Sequence, residues 1–326
     1  MSTERTANAV YVAPMMAWTD RHCRYLLRLA AAQTTLFTEM ISAPALLDGP
    51  AERLLAHHPA EHPLVIQLGG SDPDELAAAA AIAAERGYAE INLNVGCPSP
   101  RVQRGRFGAC LMREPDLVAR IVRAMAARVD VPVSVKCRLG VDDHDSQALL
   151  EDFVRAVADV GCERFYVHAR KAFLKGLSPA ENRDVPPLEY ERVYQLKARF
   201  PALSVIVNGG IDSVDAALDQ LAHLDGVMIG RAAYKDPLFV NALAGALHGE
   251  PATTAAAVMD RYLAYMADEL GRGTRLKDMT RHCLGLFAGR PGARTYRRLL
   301  SDQRRLETND LGLVHEALQC VQPLAA

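Results

Sequence analysis

Eight short runs rich in apolar and β-branched residues alternate with helix-like segments, and this alternation limits the fold more than any other feature of the chain. The runs are 9–15, 35–40, 64–68, 90–95, 131–136, 164–168, 204–207 and 226–229. Segments 74–86, 114–128, 147–160 and 214–222 between them have helical character, and Ser71-Asp72-Pro73 and Ser213 read as helix starts. Strands alternating with helices imply a parallel sheet. Eight such units in about 250 residues fit a closed (β/α)8 TIM barrel better than an open doubly wound sheet. No GxGxxG opens a helix after the first run, which argues against a dinucleotide-binding Rossmann domain.

After Gly249-Glu250-Pro251 the strand pattern stops and the remaining segments read as amphipathic helices. The expected organisation is a cofactor-binding barrel domain over 1–248 and a smaller all-helical domain over 249–326. Charge divides the same way. Residues 272–305 hold ten basic residues against Asp278 and Asp302, a net of +8 in a chain whose total is −2, so the remainder carries −10. A solvated helix face does not require such an excess, and polyanion binding is the better reading.

Half of the 326 residues are apolar and the charges nearly balance, which describes a soluble globular protein rather than a disordered chain or a coiled coil. The first eight residues lack a signal-like apolar run, and no stretch of membrane-spanning length is free of charge. A cytoplasmic protein without a membrane partner is expected. The seven cysteines are scattered and never in CxxC spacing, so neither a disulfide framework nor a zinc site is expected. His57, His58 and His62 sit in a Pro-flanked segment with no cysteine near, and no metal site is expected there either.

In a barrel enzyme the polar residues at the carboxyl ends of the strands build the site. Cys97 follows the fourth run in Asn92-Leu93-Asn94-Val95-Gly96-Cys97-Pro98-Ser99, with Arg101, Arg104 and Arg106 beyond it. Cysteine is often simply buried, but the polar, turn-forming and charged residues that follow favour a reactive thiol. Pro14, Met15 and Met16 follow the first run, while Gln67, Lys136 and His168 close the third, fifth and sixth. Asn208-Gly209-Gly210 and Gly230-Arg231 follow the seventh and eighth, where barrels often bind phosphate through backbone N–H groups. Lys136 ends too apolar a run to lack a partner, and an anionic cofactor supplies one. A phosphate site with a cationic lysine fits flavin mononucleotide (FMN), with Lys136 near the flavin edge that gains charge on reduction and Gln67 and His168 supplying hydrogen bonds. A thiol, largely protonated at neutral pH, suits a general acid partnering hydride transfer.

These residues resemble the tRNA-dihydrouridine synthases, the A-type subgroup in particular, over nearly the whole chain. The resemblance rests on Ala13-Pro14-Met15-Met16 with Trp18-Thr19-Asp20-Arg21-His22-Cys23-Arg24, and on the Asn92–Ser99 segment with Arg101-Val102-Gln103 and Phe107-Gly108-Ala109-Cys110-Leu111-Met112. It extends to Val135-Lys136-Cys137-Arg138-Leu139-Gly140, and to His168-Ala169-Arg170-Lys171 running on to Gly176-Leu177-Ser178-Pro179 and Glu181-Asn182-Arg183. It implies an FMN enzyme that uses NADPH to reduce the C5–C6 double bond of D-loop uridines 20 and 20a in tRNA. Cys97 would then be the proton donor to C5. Pro14, Met15, Met16, Gln67, Lys136, His168, Asn208, Gly209, Gly210, Gly230 and Arg231 would hold FMN. Asn94 would lie beside flavin and target base, and Arg183, Arg294 and Arg297 are nominated for tRNA. The implied partner is tRNA, not DNA, and the chain is expected to act as a monomer. One departure stands out: Pro100 and Arg104 occupy positions where A-type relatives are expected to carry Asp and Asn, so contacts of this loop with tRNA do not transfer.

Two other readings remain at this point. The first is a barrel flavoenzyme acting on a free pyrimidine, of the dihydroorotate dehydrogenase kind, which the segregated basic helices argue against. The second is a non-catalytic tRNA-binding protein, which the cysteine, lysine and histidine set argues against.

Overall fold

A computed structural model describes residues 9–321. Its eight parallel strands, β1 (Ala9–Val12), β2 (Leu36–Ser42), β3 (Leu64–Gly69), β4 (Glu90–Asn94), β5 (Val133–Arg138), β6 (Arg164–His168), β7 (Ser204–Asn208) and β8 (Gly226–Ile229), form one sheet in the order β1-β8-β7-β6-β5-β4-β3-β2. The sheet closes on itself. Val12 N donates to Thr35 O at 2.9 Å and Thr35 N to Val10 O at 3.0 Å, joining β1 to the start of β2. The result is the expected (β/α)8 barrel.

Each of the eight apolar runs becomes a strand because both faces of a barrel strand are covered. Ile91, Leu93, Val135, Phe165, Val167, Val205 and Val207 are all fully buried. Helix starts follow their caps: Asp72 accepts from Asp74 N and Glu75 N ahead of helix Pro73–Ala84, and Ser213 accepts from Ala216 N ahead of Val214–Leu221. Inside the barrel, Tyr11, Phe37 and Tyr166 meet edge to face, with ring centroids 5.1–6.4 Å apart, beside Val65, Ile206 and Met228. The inward row of β4 is polar instead: Glu90, Asn92 and Asn94.

The chain packs as two compact units. The barrel strands belong to one, made of the described residues up to Met16 with Thr35–Gly230; the other comprises Ala17–Thr34 and the described residues from Arg231 onward. Packing therefore groups 17–34 and 231–248 with the C-terminal helices, whereas a division at 248/249 follows the end of helix Pro237–His248. The second unit is helical, and its core draws on Leu26 and Ala30 of helix Arg21–Ala30 together with Tyr262, Met266, Met279, Tyr296 and Val314. A buried Glu269 receives the Arg21 guanidinium and the Thr274 hydroxyl. Among the described residues, no helix is long and apolar enough to cross a membrane. His57 packs its ring against His62 and Tyr88, and His58 caps the turn Pro59–Glu61.

Candidate active site

Register fixes which side chains meet at the carboxyl end of the barrel. Gln67 lies opposite Asn92, Asn94 opposite Lys136, Arg138 opposite His168, and His168 opposite Asn208. All of these alternate inward along their strands. Asn94, the last residue of β4, turns its Oδ1 back to accept from Gly96 N at 3.1 Å and Cys97 N at 3.0 Å, a side-chain turn that sets the direction of the departing loop. Its Nδ2 donates to Gln67 Oε1 at 2.8 Å, and Gln67 Nε2 donates to Asn92 Oδ1 at 2.9 Å. The Cys97 thiol is half-buried and points its donor at Ser99 Oγ, 3.5 Å away. Further along, Ala109 N donates to Cys97 O at 3.0 Å, and the Gln103 amide holds Pro98 O at 2.7 Å.

On the neighbouring strands, Lys136 Nζ donates to Asn208 Oδ1 at 3.0 Å, and Asn208 Nδ2 to Met228 O at 2.7 Å. Burial, and secondarily the Arg138 charge, pull the Lys136 ammonium down to about 8. Among the described residues no carboxylate pairs with it. His168 is buried, and its imidazole is held well below the ordinary histidine range by that burial and then by Arg138, Lys136, Arg170 and Arg183. It is thus neutral, and its Nδ1 is buried without a hydrogen-bond partner among the described residues. Gly209 and Gly210, with φ of 111° and 72°, carry the chain away from β7 in a conformation that other residues rarely adopt. A Cβ on Gly209 would lie 3.1 Å from His168 Nε2.

Pro14 and Met15 follow β1 half-buried, and Met16 is exposed. Gly230 follows β8 in the barrel unit, whereas Arg231 opens helix Arg231–Lys235 of the second unit. Arg183 is exposed in the turn Glu181–Arg183 of the barrel unit, and its charge acts on both Arg138 and His168. Arg294 and Arg297 are exposed on helix Ala293–Leu299 of the second unit, three residues apart on one face. The barrel therefore brings together Gln67, Asn94, Lys136, His168 and Asn208 with the Cys97 loop.

Sequence reasoning missed Arg138. It is buried, and it donates from Nε to Gly96 O at 2.9 Å and from Nη1 to Lys171 O at 3.1 Å and Asn182 O at 3.0 Å. One guanidinium thus ties the β4, β6 and 181–183 loops together. Burial first, opposed by Cys97 and assisted by Arg183 and Arg170, lowers its pKa to about 10. Asn182, fully buried, staples the β6 loop through Phe173 N, Phe173 O, Leu177 O and Ser178 O. The signal for Arg138 was its position two residues past Lys136, on the same face of one strand.

The family model described as Dihydrouridine synthase (Dus) matches residues 11–322, nearly the whole chain. The chain belongs to the dihydrouridine synthase family. Within that family, a Xanthomonas axonopodis pv. citri (strain 306) protein named tRNA-dihydrouridine(20/20a) synthase is 53% identical over 320 residues, 98% of this chain and 96% of that relative. A Vibrio cholerae (serotype O1) protein of the same name is 53% identical over 310 residues, 94% of each chain. One from Salmonella typhimurium (strain LT2) is 51% identical over 313 residues, 95% of this chain and 94% of the relative. The resemblance read in the motifs is thus to the right family, and these dihydrouridine synthases all carry the 20/20a designation.

Proposed function

We propose that this chain is an FMN-dependent, NADPH-driven tRNA-dihydrouridine synthase that reduces the C5–C6 bond of D-loop uridines 20 and 20a. The observation that carries this reading is the Asn94 clasp, which presents the Cys97 thiol at the carboxyl end of β4 beside Lys136 and Arg138, neither of which forms an ion pair among the described residues. Three relatives above half identity, each named tRNA-dihydrouridine(20/20a) synthase, support the substrate.

The barrel residues fit FMN. An ammonium without a carboxylate, an imidazole nitrogen buried without a partner, and two left-handed glycines after β7 suit an anionic, hydrogen-bonding ring system with a phosphate. Gln67, Lys136, His168 and Asn208 to Gly210 would hold it. FMN held there and reduced by NADPH would supply the hydride for C6 of the uracil. Cys97 Sγ gives its proton to C5, which completes the saturated bond, and the resulting thiolate regains a proton from solvent. Asn94 holds the Cys97 backbone at the reacting face. A uridine stacked in folded tRNA cannot reach a barrel mouth, so the base must be extruded from its stack. Arg183, Arg294 and Arg297 are assigned to tRNA phosphates, which position the substrate without specifying it. Recognition then rests on tRNA shape.

The test uses the purified protein reduced anaerobically with NADPH and given unmodified tRNA transcript, with dihydrouridine mapped by mass spectrometry. Product at positions 20 and 20a is expected, and Cys97→Ala is expected to lower it by roughly a hundredfold or more while leaving flavin reduction intact. Flavin reduction with no product on tRNA, but turnover of a free pyrimidine, would transfer the protein to the small-molecule class. A colourless protein that cannot be loaded with FMN would sink the roles given to Lys136 and His168.

A further inference from the structure

A barrel interior is ordinarily filled with branched apolar side chains. Here one side of it is polar and fully connected. Glu90, Asn92 and Asn94 project inward from β4, Gln67 from β3 and Ser134 from β5, and Glu90, Asn92, Gln67 and Ser134 are each at most 3% exposed. Five hydrogen-bond steps join them in one direction. Cys97 N donates to Asn94 Oδ1 (3.0 Å), Asn94 Nδ2 to Gln67 Oε1 (2.8 Å), Gln67 Nε2 to Asn92 Oδ1 (2.9 Å), Asn92 Nδ2 to Ser134 Oγ (2.8 Å) and Ser134 Oγ to Glu90 Oε1 (2.5 Å). At the far end Glu90 also receives Tyr166 OH at 3.0 Å and the Arg164 guanidinium.

The two ends force the same polarity independently. Backbone N–H groups can only donate, so Asn94 must turn its oxygen to Gly96 and Cys97, which leaves its amide nitrogen for Gln67. A carboxylate that faces a guanidinium, a phenol and a serine offers only acceptors, so Ser134 must donate to it and accept from Asn92. The amides in between then have one consistent orientation each. A half-satisfied chain in this interior would cost more than an apolar filling, so the network stands only as a complete unit.

We propose that Glu90, at the opposite end of β4 from Cys97, is a positioning residue for the Cys97 loop and acts through this one-way chain. Replacing the carboxylate by an amide brings the two ends into conflict. If Gln at 90 gives its nitrogen to Ser134, either the buried serine proton loses its acceptor or the downstream amides reverse and Asn94 meets the Gly96 and Cys97 N–H groups with its own NH2. Should it give its oxygen to Ser134 instead, its nitrogen faces the Arg164 guanidinium. Cutting the chain at Ser134 leaves Asn92 Nδ2 buried without its acceptor, a cost relieved only when Asn92 shifts and, through Gln67, draws Asn94 with it. In both cases the clasp on Cys97 weakens, the loop loosens, and Sγ leaves its half-buried place beside Ser99.

The experiment compares Glu90→Gln, Ser134→Ala, Ser134→Thr and Tyr166→Phe in the full-length protein. The first readout is the rate of iodoacetamide alkylation at Cys97 as a function of pH, followed by peptide mass mapping so that Cys320, in the other unit, serves as internal reference. It requires neither tRNA nor turnover, whereas the second readout, kcat and KM on tRNA, rests on the function proposed above. Glu90→Gln and Ser134→Ala are expected to raise Cys97 alkylation by roughly three- to tenfold, the factor one lost net hydrogen bond represents, without changing Cys320. Their kcat is expected to fall about tenfold with KM unchanged, as for a misplaced reacting group. Ser134→Thr keeps the hydroxyl and should restore both readouts. Tyr166→Phe removes a bond to Glu90 without cutting the chain and should alter neither. Unchanged Cys97 alkylation in Glu90→Gln and Ser134→Ala, or an equal change in Tyr166→Phe, would overturn the proposal. If Glu90→Gln does not fold, the Ser134→Ala and Ser134→Thr pair decides. Altered alkylation in a protein that makes no dihydrouridine would leave the positioning role standing and remove the functional reading.

Discussion

Lys136 carries its positive charge only up to about pH 8 before an anion binds, because burial and Arg138 both disfavour the ammonium. Binding an anionic cofactor favours the protonated form and raises this pKa, so below about pH 8 no proton uptake accompanies binding, and above it one proton must be taken up. FMN affinity should therefore be flat up to about pH 8 and fall as pH rises beyond it. Titrating cofactor-free protein with FMN between about pH 7 and 9.5 measures this, and Lys136→Met should bind more weakly at every pH and lose the slope. A slope that persists in Lys136→Met would assign the titration to another group. Arg138 poses a different problem, since its guanidinium serves three carbonyls of three loops. Arg138→Met leaves Gly96 O, Lys171 O and Asn182 O without that donor and should cost about 2–3 kcal/mol in urea unfolding. Arg138→Lys replaces a planar fork by one nitrogen and should lie between the two. A stability unchanged by Arg138→Met would show that water replaces the guanidinium without loss.

At the level of elements, the loop between β4 and helix Pro115–Ala126 depends on one glycine. Gly108 has φ of 70°, and a Cβ there would stand 2.5 Å from Cys97 O and 2.5 Å from Val102 Cγ1. Gly108→Ala must displace the Cys97 carbonyl from the Ala109 N–H that holds it. A loss of about 1–3 kcal/mol in thermal unfolding is expected, with kcat on tRNA down more than about tenfold and bound flavin retained. Equal kcat in the variant would mean that the loop sets its thiol without this contact. The strands themselves were readable, since a parallel strand covered on both faces is an uninterrupted apolar run, and the caps Asp72 and Ser213 marked their helices. Helix Arg21–Ala30 was not read as an element, because His22, Arg24 and Arg28 mask the Cys23, Leu26, Leu27, Ala30 row that packs inward. Those polar groups are buried only because partners from elsewhere or from the helix ends receive them: Tyr265 OH at 2.7 Å from His22 Nδ1, Thr19 O at 2.9 Å from Arg24 and Ala31 O at 3.2 Å from Arg28. The candidate site was legible where a strand end announced it, as in the placement of Cys97, Lys136 and His168 at the carboxyl ends of β4, β5 and β6. Glu90 and Ser134 escaped notice because their role appears only when the register sets three neighbouring strands side by side.

For the whole molecule, the charge excess of 272–305 is partly balanced by ion pairs within the chain. Arg272, Arg275, Arg281 and Arg305 pair with Glu269, Asp278, Asp20 and Glu316. Lys277, Arg290, Arg294, Arg297, Arg298 and Arg304 form no ion pair among the described residues. The second group can meet a polyanion without giving up an ion pair, whereas the first must share or exchange its carboxylate. Each phosphate neutralised contributes roughly 0.7 to 0.9 to the slope of log affinity against log salt. The double variant Arg294→Ala/Arg297→Ala should therefore shallow that slope by about 1.4 to 1.8 between about 50 and 200 mM salt. KM for tRNA should rise in parallel at the higher salt, while kcat at saturating tRNA stays as in the parent, as the proposed role of holding phosphates away from the reacting base requires. An unchanged slope would place both arginines away from the bound tRNA. A fall in kcat with the slope intact would mean instead that they act on the packing of helix Ala293–Leu299, whose Tyr296 is buried in the core of that unit.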